Sequence, residues 1–148
     1  MYFWKISKLK SDLINQPLPE SESFKYLIAN AVVYGLAMIP FGEKNIWDIY
    51  FSIATLVITI LGTIYIYGCN RGANGKNFLQ RYVSLSWVVG IRWIVLIALP
   101  IIILYYIAIG IYFGIVSYTI NPLDIILFSI LLVSYFWLLG KHMKEVAK

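Results

Sequence analysis

No charged residue occurs between Asp48 and Arg71, nor between Arg92 and Asp124. Gaps of this length, filled mainly with Ile, Leu, Val and Tyr, leave few folds open. A helix of about 20 apolar residues crosses a hydrocarbon core of about 30 Å. In lipid a spanning segment must satisfy its own backbone hydrogen bonds, which makes helix the expected state. Two further apolar runs accompany these gaps. The reading is four spans, over 24–42, 46–69, 93–116 and 123–140.

Charge placement gives an independent signal. Of the 12 Lys and Arg residues, all but Lys44 fall on one side of a membrane crossed by these spans. Lys5, Lys8, Lys10 and Lys25 precede the first span; Arg71, Lys76, Arg81 and Arg92 lie in the second loop; Lys141, Lys144 and Lys148 follow the last. The positive-inside rule then puts both termini and the middle loop in the cytoplasm. The expected protein is an all-α, multi-pass inner-membrane protein, N-in and C-in. Only 13% of residues are charged against 61% hydrophobic, where soluble domains run near 25% and 45–50%. Too little chain remains outside the spans for a second domain, so 1–148 reads as one. The net charge of +5 sits beside span ends, which favours membrane lipid over nucleic acid as its partner. A single cysteine, Cys69, excludes an internal disulfide and a Cys-based zinc site. Met1–Lys10 lacks the apolar core of a cleavable signal, and the first span is read as an uncleaved insertion signal.

Two segments outside the spans have helical character. Phe3, Ile6, Leu9 and Leu13 recur at helical spacing, which suits a short helix in the cytoplasmic interface; a frayed tail is the alternative. The region 78–116 is harder to place. As one helix it would reach ~58 Å at about 1.5 Å per residue, against a core of about 30 Å. It can project into the cytoplasm, break near Gly90, or kink at Pro100. Arg81 and Arg92 differ by only about 20° around a helix axis. That basic face, with Trp87 and Trp93 nearby, favours an interfacial helix over 77–92 with the span beginning at Trp93.

The chemistry-bearing patterns are few. Gly68–Asn77 resembles a phosphate loop in composition, but Asn70 and Asn77 stand where a Walker A motif needs Gly and Ser or Thr. What remains is a Gly/Asn turn which, with Arg71, Lys76, Arg81 and Arg92, forms the densest polar cluster. It reads equally as a solvated turn with topogenic charges or as a surface for a partner or anionic lipid. Ser52, Thr55, Thr59 and Thr63 make a hydroxyl row on the second span. Such a row is usually helix–helix glue, and in an oligomer it could line a pore. Gly110 and Gly114 are four apart in the third span, a spacing that lets helices approach closely within or between subunits. Asp124 favours the N-terminal dipole of the fourth span, and Gly140 reads as its C-cap. No ionisable group lies near the midplane, as transporters usually require. His142 stands alone in the basic tail. No Ser/His/Asp, HExxH or paired-carboxylate arrangement occurs, and no cofactor or metal is expected.

The stretch 74–92, Asn-Gly-Lys-Asn-Phe-Leu-Gln-Arg-Tyr-Val-Ser-Leu-Ser-Trp-Val-Val-Gly-Ile-Arg, resembles small four-span bacterial membrane proteins of phage-defence and toxin–immunity operons. The membrane subunit of the Kiwa defence system is one such protein. The likeness covers about 20 of the 148 residues. It implies a membrane sensor or anchor that works with a cytoplasmic effector, and it transfers no functional residue. The expectation is therefore a non-enzymatic, homo-oligomeric membrane component that binds a cytoplasmic protein. A small channel or permeabilising effector is the rival, and an immunity protein against a membrane-acting toxin is a third option.

Overall fold

The computed structural model describes residues 1–37, 45–113 and 119–147. Among them all regular structure is helical: α1 (Ile6–Asn15), α2 (Glu20–Ala37), α3 (Ile46–Cys69), a 3₁₀ turn (Gly72–Asn74), α4 (Phe78–Trp93), a π-helical turn (Ile94–Ala98), α5 (Leu99–Phe113) and α6 (Pro122–Val146). Three stretches are long and apolar enough to cross a membrane: Ile46–Cys69, Phe78–Ile111 and Pro122–Val146. These mark the chain as a membrane protein. Helix α2 carries Glu20, Glu22 and Lys25 in its opening turns and is not among the three; residues 38–42 of the expected first span lie outside the described residues.

Local chemistry fixes where the long helices start. Asn45 caps α3, accepting from the Trp47 backbone at 2.7 Å, while Asp48 accepts from the Asn45 backbone at 2.6 Å. Asn121 and Asp124 repeat this capping box on α6, with Pro122 in the first turn. Reciprocal bonds of this kind satisfy donors that a helix start otherwise leaves orphaned. The two caps also touch, since Asn45 Nδ2 donates to the Ile120 carbonyl at 2.8 Å. Helices α3 and α6 therefore run side by side in the same direction.

Their seam is built on ring-into-glycine contacts. The Phe136 ring occupies the space a Cβ at Gly62 would need, and the Tyr65 ring does the same at Gly140. Phe51 meets Phe128 edge-on at 5.6 Å further along. Gly140 is therefore not a C-cap: α6 continues through it to Val146, and its missing side chain seats Tyr65. Helix α6 also packs against α4, and α4 against α2, so the long helices form a row with α3 and α2 at its ends.

The helical path does not stop at Gly90 or Trp93. It runs through the π turn into α5, so Phe78–Trp93 is not a separate helix. Ser84, Leu85, Ser86, Val88 and Val89 are covered by protein, where a helix lying in the headgroup layer would leave its apolar side to lipid. Pro100 explains the irregularity. Proline lacks the N–H that a helix interior needs and its ring crowds the carbonyl four residues back. The π turn shifts the bonding register just before it, with the Leu99 N–H on the Ile94 carbonyl five residues back, a local adjustment of the kind that accommodates proline within a spanning helix.

Burial is concentrated at one end of the molecule. Leu9, Leu13, Tyr26, Ile66, Leu85, Val88, Leu139, Met143 and Val146 form a continuous core there. Helix α5, by contrast, leaves Ile103, Leu104, Ile107 and Ile111 exposed, as a lipid-facing helix does. Helix α1 belongs to the buried end. Leu9 and Leu13 pack between α4 and α6, so its apolar face is covered by protein rather than dipped into lipid.

Candidate functional site at the charged end

The well-packed end also carries most of the basic residues. Its floor is the turn between α3 and α4. Asn70 is fully buried; its side chain accepts from an Arg81 guanidinium nitrogen at 3.0 Å and donates to the Lys76 carbonyl at 3.4 Å. Gly75 must be glycine, because a Cβ there would run into the Asn70 backbone. Arg71 and Asn77 adopt left-handed backbone, at φ 69° and 54°. The turn is thus tied down from within, and Arg71 and Lys76 project from it exposed.

The segment joining α1 to α2 closes over this floor. Gln80 donates to the Leu18 carbonyl and to Ser23 Oγ. Asn30 donates to the carbonyls of Tyr26, at 2.8 Å, and Val83, at 3.0 Å, which ties α2 to α4. Tyr2 bonds the Asp12 carboxylate through its hydroxyl at 2.9 Å and the Tyr26 hydroxyl through its backbone N–H at 2.6 Å. The bond to Asp12 pushes the Tyr2 hydroxyl above its ordinary pKa. Lys25, hydrogen-bonded to Glu22 at 2.6 Å, leads the interactions that lower the Glu22 carboxyl to about 2. Lys10 and Glu145 pair α1 with the end of α6.

Between the Pro17–Pro19 segment, the start of α2 and the start of α4 runs a groove of about 970 Å³. Phe24, Leu27, Leu79 and Val83 line it, with Glu20 and Asn77 among its polar groups. Leu79 is 73% exposed and Phe24 60%. Phe24 and Leu27 open the expected first span and Leu79 lies at the start of the Phe78–Ile111 stretch. This apolar exposure thus stands at the edge of the apolar stretches beside the basic turn, and a groove of this kind marks an interaction surface.

The basic residues grouped in the sequence divide in two. Arg81 serves the Asn70 turn. Arg92 lies one helical stretch away, about 16 Å along α4 at the usual rise, and packs its guanidinium on the Trp4 ring at 5.5 Å. Arg71, Lys76 and Arg81 thus share the turn, and Arg92 belongs to a different place between α1 and α6.

The hydroxyl row lies on α3, at the open end of the helix row. Ser52 donates back to the Asp48 carbonyl at 2.8 Å, the local bond a helical serine makes in lipid. Thr55, Thr59 and Thr63 are partly buried. At Gly110 a Cβ would meet nothing within 4 Å among the described residues; Gly114 lies outside them. Among the described helices the close-approach glycines are Gly62 and Gly140. Among the described residues no cluster of His, Cys, Asp or Glu could hold a metal ion.

Several of these groups escaped the sequence reading. Gln80 and Asn30 did carry a signal: a lone amide on an otherwise apolar helix face must find partners when buried. The groove carried none, because it depends on the Pro17–Pro19 segment meeting residues 77–80. Compared with protein-family models, curated proteins and solved structures, the chain matches none of them.

Proposed function

We propose that this chain is a non-enzymatic, oligomeric component of a bacterial inner membrane that docks a cytoplasmic protein on its charged end. The four-span topology with both termini inside belongs to the same proposal. One observation carries it: the groove lined by Phe24, Leu27, Leu79 and Val83 lies at the basic, well-packed end and exposes large apolar side chains there. Topogenic charges alone need only a solvated loop, so an apolar groove beside them favours a docking role. The likeness of 74–92 to membrane subunits of defence operons suggests an effector as the docked protein. A photo-crosslinking residue at Leu79 or Phe24, in native membranes with the neighbouring genes present, is the test. A covalent adduct with a distinct soluble protein is expected; adducts with lipid alone refute the docking surface.

A second reading draws on the α3 hydroxyl row at the open end of the helix row. Self-association there would turn Thr55, Thr59 and Thr63 toward a neighbour, either as helix contacts or as a pore wall. Selective conductance in planar bilayers that changes on Thr59→Leu supports the pore; a sealed bilayer at high protein density removes it.

A further inference from the structure

A second cavity lies where α1, α4, the π turn and α6 converge. It measures about 200 Å³, and its walls include Arg92, His142, Leu96, Ile97 and Leu138. Arg92 has no ion pair among the described residues; its one described partner is the Trp4 ring. The nearby carboxylate, Glu145, is engaged by Lys10 and lies 3.7 Å from His142 Nδ1. One half-buried positive charge is therefore uncompensated.

Three features say what compensates it. First, the cavity sits at the polarity boundary on both helices: the uncharged stretch of α4–α5 begins after Arg92, and the basic tail of α6 begins at Lys141. Headgroup phosphates lie at that depth. Second, its walls include Leu96, which is 57% exposed and lies on the uncharged side of Arg92, so an acyl chain of a surrounding bilayer can reach it. Third, the π turn Ile94–Ala98, which holds Leu96 and Ile97, begins two residues after Arg92. Such turns widen a helix and recur at functional sites. Basic pockets between membrane helices on the cytoplasmic side suit anionic headgroups.

We propose that this cleft holds one anionic glycerophospholipid, its phosphodiester on Arg92 and one acyl chain along Leu96, Ile97 and Leu138. A single uncompensated guanidinium favours a headgroup of one net negative charge, such as phosphatidylglycerol. A phosphatidylcholine would bring a second cation beside Arg92. The site rests on membrane insertion but not on the protein partner.

The full chain, purified in mild detergent, is titrated with phosphatidylglycerol or phosphatidylcholine and read by native mass spectrometry. Wild type is expected to retain one phosphatidylglycerol with a preference of about five- to tenfold, the effect of one basic contact near the surface. Arg92→Gln should reduce the preference to none. Leu96→Trp, which keeps the charge but fills the cleft, should lower retention of both lipids. Lys144→Gln should leave the preference unchanged. A preference that survives Arg92→Gln overturns the proposal. So does displacement of the lipid by inorganic phosphate at equal concentration, which would make the site one for free phosphate. Extraction from cells only by detergent tests membrane insertion separately, so the two failures are distinguishable.

Discussion

The Gly62–Phe136 contact allows a test in which two physical effects oppose each other. Replacing glycine by alanine within a helix normally stabilises it by up to about 1 kcal/mol, because glycine loses more backbone freedom on folding. At Gly62 the new methyl would overlap the Phe136 ring more closely than any real Cβ contact. Overpacking a well-filled site costs about 1–3 kcal/mol. The overlap involves three ring atoms of a buried side chain in a seam that also holds Tyr65 against Gly140, so the ring has little room to move. Overlap should outweigh propensity, for a net loss of about 1–2 kcal/mol. Gly68→Ala is the control, since a Cβ there meets nothing within 4 Å; it should be neutral or stabilising. Adding Phe136→Leu to Gly62→Ala should recover part of the loss, a coupling of about 1 kcal/mol for residues in contact. Unfolding in mixed micelles with increasing dodecyl sulfate, followed by tryptophan fluorescence, reads all four variants. Equal behaviour of Gly62→Ala and Gly68→Ala would refute the seam.

Other expectations follow from single contacts. Asn70→Ala should cost about 1–3 kcal/mol, because it strands a partly buried Arg81 guanidinium nitrogen and the Lys76 carbonyl, measured by the same unfolding assay. Leu9→Ala removes a fully buried side chain and should cost about 2–5 kcal/mol; the readout is faster proteolysis within residues 1–19. Glu145→Gln breaks a partly exposed pair with Lys10 and should change stability by at most about 1 kcal/mol. Gly110→Leu should shift a homo-oligomer toward monomer by native mass spectrometry in nanodiscs, while wild type found monomeric there removes the oligomer proposal.

How much was legible in the sequence varies with the range of the interaction. The long helices were readable because lipid imposes one rule on every spanning residue, and the Asp124 capping position was readable from its place after Asn121 and Pro122. The packing of α1 was half legible: the Ile6, Leu9, Leu13 spacing revealed an apolar face but not that α4 and α6 cover it. Gly140 was misread because a glycine before a basic tail looks like a helix stop; only the Tyr65 ring, 75 residues away, gives it another purpose. The joining of 77–92 to the next span was also hidden. A π turn leaves no composition signature, and Pro100 alone did not show where the helix would adjust. The grouping of Arg81 with Arg92 rested on their shared helical face, yet their axial separation assigns them to different neighbours.

The claim on which the rest depends is that the groove beside Leu79 and the capped starts of α3 and α6 face opposite sides of the membrane. With Cys69 replaced by serine, single cysteines at Leu79 and at Leu123 are exposed to a membrane-impermeant thiol reagent in intact spheroplasts. Labelling at Leu123→Cys without permeabilisation, and at Leu79→Cys only after it, is the expected result. Labelling of Leu79→Cys from outside, or of both positions from the same side, would contradict a cytoplasmic docking surface.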